Sequence, residues 1–151
     1  MPEDRRLRVA AHVERLAGML HEHLDLVKNV EALVAYVRAA RGEGVGGLER
    51  ELENLRSLRE SIIQELTNAA EVLKGFEGEE ALDLYSLAGY YLEAASLEER
   101  RVLESASGFL DVREDLGRLE EARRAARIIV EMLRERAEAD WLERGMRKYK
   151  G

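Results

Sequence analysis

Three histidines, His12, His21 and His23, are the residues of this chain best suited to metal or proton chemistry, and His21-Glu22-His23 resembles a ligand cluster. A metal bound on one helix needs donors on one face, as an i,i+4 pair or a Glu-x-x-His motif supplies. At 100° per residue, His21 and His23 point about 200° apart, and His12 and His21 about 180° apart. His12 and His23 share a face but stand about 16 Å apart along the axis. No two of them can hold one ion. His12 and His23 fall inside an apolar arc, so the expectation is that both are buried and hydrogen-bonded.

Other chemistry-bearing residues fare similarly. Glu77, Glu80 and Asp83 have the three-residue spacing that can hold magnesium on a helix, but such a site needs a second carboxylate pair on a facing helix, and none stands out. Acids in a first helical turn are already explained by the helix dipole. Gly42-x-Gly44-x-Gly46-Gly47 precedes a helix, where phosphate could bind, yet it follows a helix rather than a strand and lacks a Lys-Ser/Thr pair. It reads as an interhelical hinge. No metal or cofactor is expected. The absence of cysteine excludes disulfides and thiol catalysis and fits a reducing cytoplasm.

The basic residues raise a different possibility. Arg123 and Arg127, with Arg124, lie on one face of the last helical stretch, and Arg144, Arg147, Lys148 and Lys150 form a basic end containing Tyr149, with Trp141 one turn before. Aromatic residues among bases suit nucleic-acid stacking. The formal net charge of −7 weighs against polyanion binding. Residues 77–121 hold 13 acids and 4 bases, which reads as a solvated acidic face. Nucleic-acid contact is therefore kept as an alternative, for a helical subunit of a larger assembly.

The elements that must position these residues are all helical. Ala, Leu, Glu and Arg dominate, strand formers are scarce, and the only proline is Pro2. With 46% hydrophobic and 36% charged residues, 151 positions fit one ordered domain. The basic set comprises 20 Arg and 4 Lys, and Gln and Asn are few, which fits a thermophile or a GC-rich genome. The N-terminus lacks a secretory pattern, and no apolar run is long enough to span a membrane.

Apolar spacing of three and four predicts helix 1 over about 4–41, with Val9, Val13, Leu16, Leu20, Leu24, Val27, Val34 and Val37 inward. Helix 2 is predicted over about 48–74, with Gly42 as the left-handed residue after helix 1. Arg59 falls where helix 2 should be apolar; a charge there must be paired, and we expect it to set helix register. Helix 3 is predicted over about 79–95. Ser96-x-x-Glu99 then reads as a capping box that starts a short fourth helix, and Asp111-x-x-Glu114 as a second box that starts the last helix, about 112–144.

The expected fold is an all-α, antiparallel, up-down-up-down bundle of four layers, the third broken into two short helices, five helices in all. Residues 1–144 form a single domain, and 145–151 a basic, frayed tail. Ala125, Ile128, Ile129 and Met132 widen the apolar arc of the last helix beyond what one side of a bundle requires; either the short helix covers them or another subunit does, which makes them the candidate interaction surface. The expected function is non-enzymatic: a cytoplasmic protein working through protein–protein contacts, as a homo-oligomer such as a dimer or as a subunit of a larger complex. A hydrolase built on the carboxylates around Glu80 is the least favoured reading.

Overall fold

In the computed structural model, backbone is described for residues 2–73, 75–76 and 78–150, and side chains for 4–73, 75–76 and 78–145. The chain forms α1 (Pro2–Ala39), α2 (Val45–Val72), α3 (Gly78–Tyr90), a π-helical turn (Tyr91–Ala95), α4 (Ser96–Ala106) and α5 (Arg113–Lys150). There is no strand among the described residues. The all-α bundle is as expected, whereas its third layer, the C-terminal end of α5 and the turn after α1 differ.

That layer is not broken at Ser96. Tyr90, Ala95 and Ser96 all have right-handed helical backbone, so α3, the π turn and α4 form one continuous rod. A capping serine must leave the helical conformation so that its hydroxyl can accept from the first turn. Ser96 instead keeps helical dihedrals and donates its hydroxyl to the Leu92 carbonyl at 2.9 Å. Glu99, the other half of the expected box, is fully buried and turned into the interior. The second box holds in part: the Asp111 carboxylate accepts from the Arg113 backbone N–H at 3.1 Å, while Glu114 bonds to Arg118 at 2.8 Å.

The four rods pack in a ring. α1 lies against α2 and the α3–α4 rod, and α5 lies against the same two. α1 and α5 face each other across one diagonal, and α2 and the α3–α4 rod across the other, with only slight contact near their connection. Sequential helices are thus neighbours for α1–α2 and α4–α5, whereas the link from α2 to α3 crosses the bundle. Both 38-residue helices are about 57 Å long, against about 42 Å for the 28-residue α2. The surplus lies at one end, beyond Val9 of α1 and Leu133 of α5, the outermost core residues of those helices. The helical backbone of α5 also includes 145–150, the segment expected to be a frayed tail.

Two apolar clusters fill the interior. One joins Val9, Leu16 and Leu20 of α1 to Ile62 and Leu66 of α2, Leu84 and Ala88 of α3, and Ala126 and Leu133 of α5. The other joins Val27, Val30 and Val37 to Leu48, Leu52 and Leu55, then to Val102, Leu103 and Leu119.

The turn after α1 differs from expectation by one residue. Gly42 does have positive φ, but so does Arg41, at 55°, and the Gly42 N–H returns to the Val37 carbonyl at 2.9 Å. In this geometry Arg41 occupies the first left-handed position after the helix, which costs an L side chain about 1–2 kcal/mol. Arg41→Gly is expected to raise stability by about 0.5–1 kcal/mol in urea unfolding, after allowing for glycine's freer unfolded chain. A decrease would show that the side chain contributes contacts that offset the strain.

Candidate functional site

Between the two apolar clusters lies a layer of charge. Each rod contributes one buried polar residue: His23 from α1, Arg59 from α2, Glu99 from α4 and Asp115 from α5, none more than 4% exposed. Glu99 accepts from His23 Nε2 at 2.9 Å and from Arg59 Nε at 2.6 Å. Arg59 Nη2 continues to Asp115 at 3.3 Å. Asp115 is also held by Arg56, through Nε and Nη2, each at 2.9 Å. A carboxylate can only accept, so His23 must carry its proton on Nε2 to serve Glu99. Two guanidiniums and two carboxylates cancel in charge, which is the condition for burying them.

The expectation that Arg59 is paired is met, and its partner lies across the bundle diagonal. Hydrogen bonds from Arg56 hold the Asp115 carboxyl below the usual range against the upward push of burial, with Arg59 adding to the effect. Tyr91, in the π turn, stands edge-on to His23 with ring centroids 6.4 Å apart. Burial pushes its hydroxyl up, and the charge on Glu99 adds to this, so the ring stays neutral. A π turn makes i→i+5 bonds and recurs where helices are adapted to a special site; here it lies one turn before Glu99.

A second pair lies nearer the surface. His12 Nδ1 is 2.8 Å from Glu65, and Arg15 Nε donates to the same oxygen at 2.7 Å. Burial pushes the Glu65 carboxyl up, but the bonds from His12 and Arg15 outweigh it and hold it below its ordinary value. His23 is buried as expected, His12 is half-buried and His21 is exposed beside Asp25. The three rings thus go to three different acids.

The acids with magnesium-like spacing meet no facing carboxylate pair among the described residues. Glu77 lies outside the described residues, Glu80 is 3.6 Å from Arg6, and Asp83 is exposed. Among the described residues no group of three or more His, Asp or Glu could hold a metal.

Of the candidate nucleic-acid contacts, Arg123 is not on an exposed basic face with Arg127. It is half-buried and donates to Ser96 Oγ at 3.0 Å, with Glu120 beside it at 3.5 Å. Glu120 draws Arg123 inward, pairing with it and with Arg100 of α4. Arg127 is exposed, and Arg144 is paired with Asp140 at 3.1 Å. The side chains of Arg147, Lys148 and Lys150 lie outside the described residues.

The four residues of the candidate interaction surface come together. Ala125, Ile128, Ile129 and Met132 form the α5 wall of a groove of about 590 Å³, whose α2 wall includes Thr67, Ala70 and Leu73. Ile128 is 66% exposed at its rim, while Ile129 is buried at 7%. Arg136 closes one end, donating to the Leu73 carbonyl at 2.8 Å and so capping α2. At the other end the groove runs into a second hollow of about 760 Å³, with Arg59 in its wall and Glu60, Glu114 and Glu121 among its lining.

Sequence reasoning found Arg59, His23 and the α5 surface but missed Asp115 and Glu65 and misassigned Glu99. A signal existed. All three acids occupy positions where the three-four spacing calls for an apolar residue, as Arg59 does. Acids and a base out of pattern on different helices are candidates for mutual pairing.

The class this defines is a four-helix bundle with an ionic layer between two apolar cores and an open apolar groove on one flank. No family model matches the chain, and neither a curated protein nor a solved structure does.

Two outcomes test the layer. Glu99→Leu strands both Arg59 and His23 and should cost about 3–5 kcal/mol in urea unfolding; a change under about 0.5 kcal/mol would mean that the two donors find other partners. The depressed carboxyls of Asp115 and Glu65 give stability that is fully present above the unfolded carboxylate range. That stability is lost as pH falls below about 4 and through the folded values. Asp115→Asn should flatten this acid limb, measured as unfolding free energy against pH; a parallel, undiminished limb would remove Asp115 from it.

Proposed function

We propose that this protein works through protein–protein contact rather than catalysis, and that it self-associates through the α2/α5 flank. The observation that carries this reading is Ile128, 66% exposed beside Ala125, Ile129 and Met132 on an apolar groove. Contiguous apolar surface of this kind marks interaction sites on proteins that fold by themselves. The ionic layer supports the same reading, because its carboxylates are held by its guanidiniums, although Arg59 Nη1 has no partner. The nucleic-acid alternative is weakened by the loss of Arg123 to the interior.

Among the described residues no helix is long and apolar enough to cross a membrane. A reducing, hot cytoplasm suits a chain without cysteine and with 36% charged residues.

Sedimentation at micromolar concentration tests the reading. The protein should sediment as a dimer, and Ile128→Glu should weaken association by at least about tenfold while leaving the fold intact, since the side chain it replaces lies at the surface. A strict monomer would overturn self-association.

A further inference from the structure

The outer face of α5 carries a second apolar pattern, distinct from the one that fills the core. Ala125, Ile128, Met132, Glu135, Ala139 and Leu142 are spaced three, four, three, four and three apart, and the sequence carries the spacing on to positions 146 and 149, a methionine and a tyrosine. Apart from Glu135 the positions are apolar. This is the a/d repeat of a two-helix seam. It drifts by about 20° per heptad around a straight helix, as a left-handed supercoil requires. Ile128 and Leu142 are 66% and 58% exposed on it.

The seam crosses two regions of α5. Its first half is the wall of the α2/α5 groove, from Ala125 to Met132. Its second half lies beyond Leu133, the last core residue, on a helical segment that runs to Lys150. That overhang is about 25 Å long, and a helix of that length is marginal in water without a packing partner. The α5 wall of the groove, Ala125 to Arg136, is about 17 Å long. The overhang thus has the length and the apolar stripe to fill such a groove, but it extends away from its own.

We infer that two copies pair antiparallel along the outer seam of α5, each chain's overhang lying in the other's α2/α5 groove. The inference rests on the self-association proposed above and names its geometry. A two-fold axis near Ala137 brings Met132 opposite Leu142, Glu135 opposite Ala139, and Ile128 opposite position 146. The contact is closed, because each chain gives and receives the same segment.

Charge selects this direction over the parallel one. Parallel chains would bury Glu135 against its own copy and bring together two basic ends, each holding Arg144, Arg147, Lys148 and Lys150. Antiparallel chains set Glu135 against Ala139 instead and separate the two basic ends, each lying along the other chain's α5 between Glu121 and Glu131, where Arg124 and Arg127 are also exposed.

The absence of native cysteine makes engineered ones unambiguous. Met132→Cys and Leu142→Cys chains, made separately in the full-length protein, are mixed and mildly oxidised. Only facing positions come within the 4.4–6.8 Å Cα separation a disulfide needs. The expected result is a mixed disulfide of one chain of each kind, in about tenfold excess over the Leu142→Cys homodimer. A dominant Leu142→Cys homodimer would overturn the antiparallel direction. A protein that sediments as a dimer but gives no disulfide in any combination would overturn the α5 seam and leave self-association standing. A strict monomer would overturn both.

Discussion

Ionised groups are stable inside a bundle only when each finds its counter-charge at bonding distance, because desolvation costs several kcal/mol per ion. In this protein that requirement is met at mid-bundle by Glu99, Arg59, Asp115 and Arg56, with His23 bonded to the same Glu99, and it ties all four rods at one level. Apolar contacts tolerate a helix sliding by a turn better than a bonded chain of charges does. A shift of α2 by one turn, about 5.4 Å, would remove Arg59 from both Glu99 and Asp115. The layer is therefore what holds the helices at one height, and the two apolar clusters on either side supply the bulk of the burial.

The continuity of the third rod follows from the same demand. A break at Ser96 would have directed the Glu99 carboxylate to its own backbone as a cap. Keeping the rod helical through the π turn instead projects Glu99 into the interior, where two donors meet it. A local preference worth about 1 kcal/mol yields to an interaction that leaves two buried hydrogen-bond donors stranded when it is missing.

The ring arrangement accounts for the open flank. α2 and α5 run in the same direction, and a hollow and then a groove open between them, the groove lined by the small residues Ala70 and Ala125. Both longer helices exceed their neighbours at that same end. Apolar groove and helical overhang thus lie at the same end of the bundle.

The helices themselves were legible in the sequence. Three-four spacing, the single proline at position 2 and glycines near the ends of stripes placed all but the joint at Ser96 and the C-terminal end of α5 within a few residues, because helix formation and an amphipathic stripe are local properties of a chain. Arg59 announced itself as out of pattern for the same reason. Its partners did not: Glu99 and Asp115 lie 40 and 56 positions away, and a carboxylate's spacing along its own helix says nothing of which charge lies opposite. Likewise the sequence marked Ala125, Ile128, Ile129 and Met132 as surplus apolar surface. Only the packing of α5 on α2 decided that Ile129 is buried, that Ile128 is exposed and that a groove lies between them. Periodicity is set by near neighbours in the chain, whereas register and partnership are set by groups that folding alone brings together.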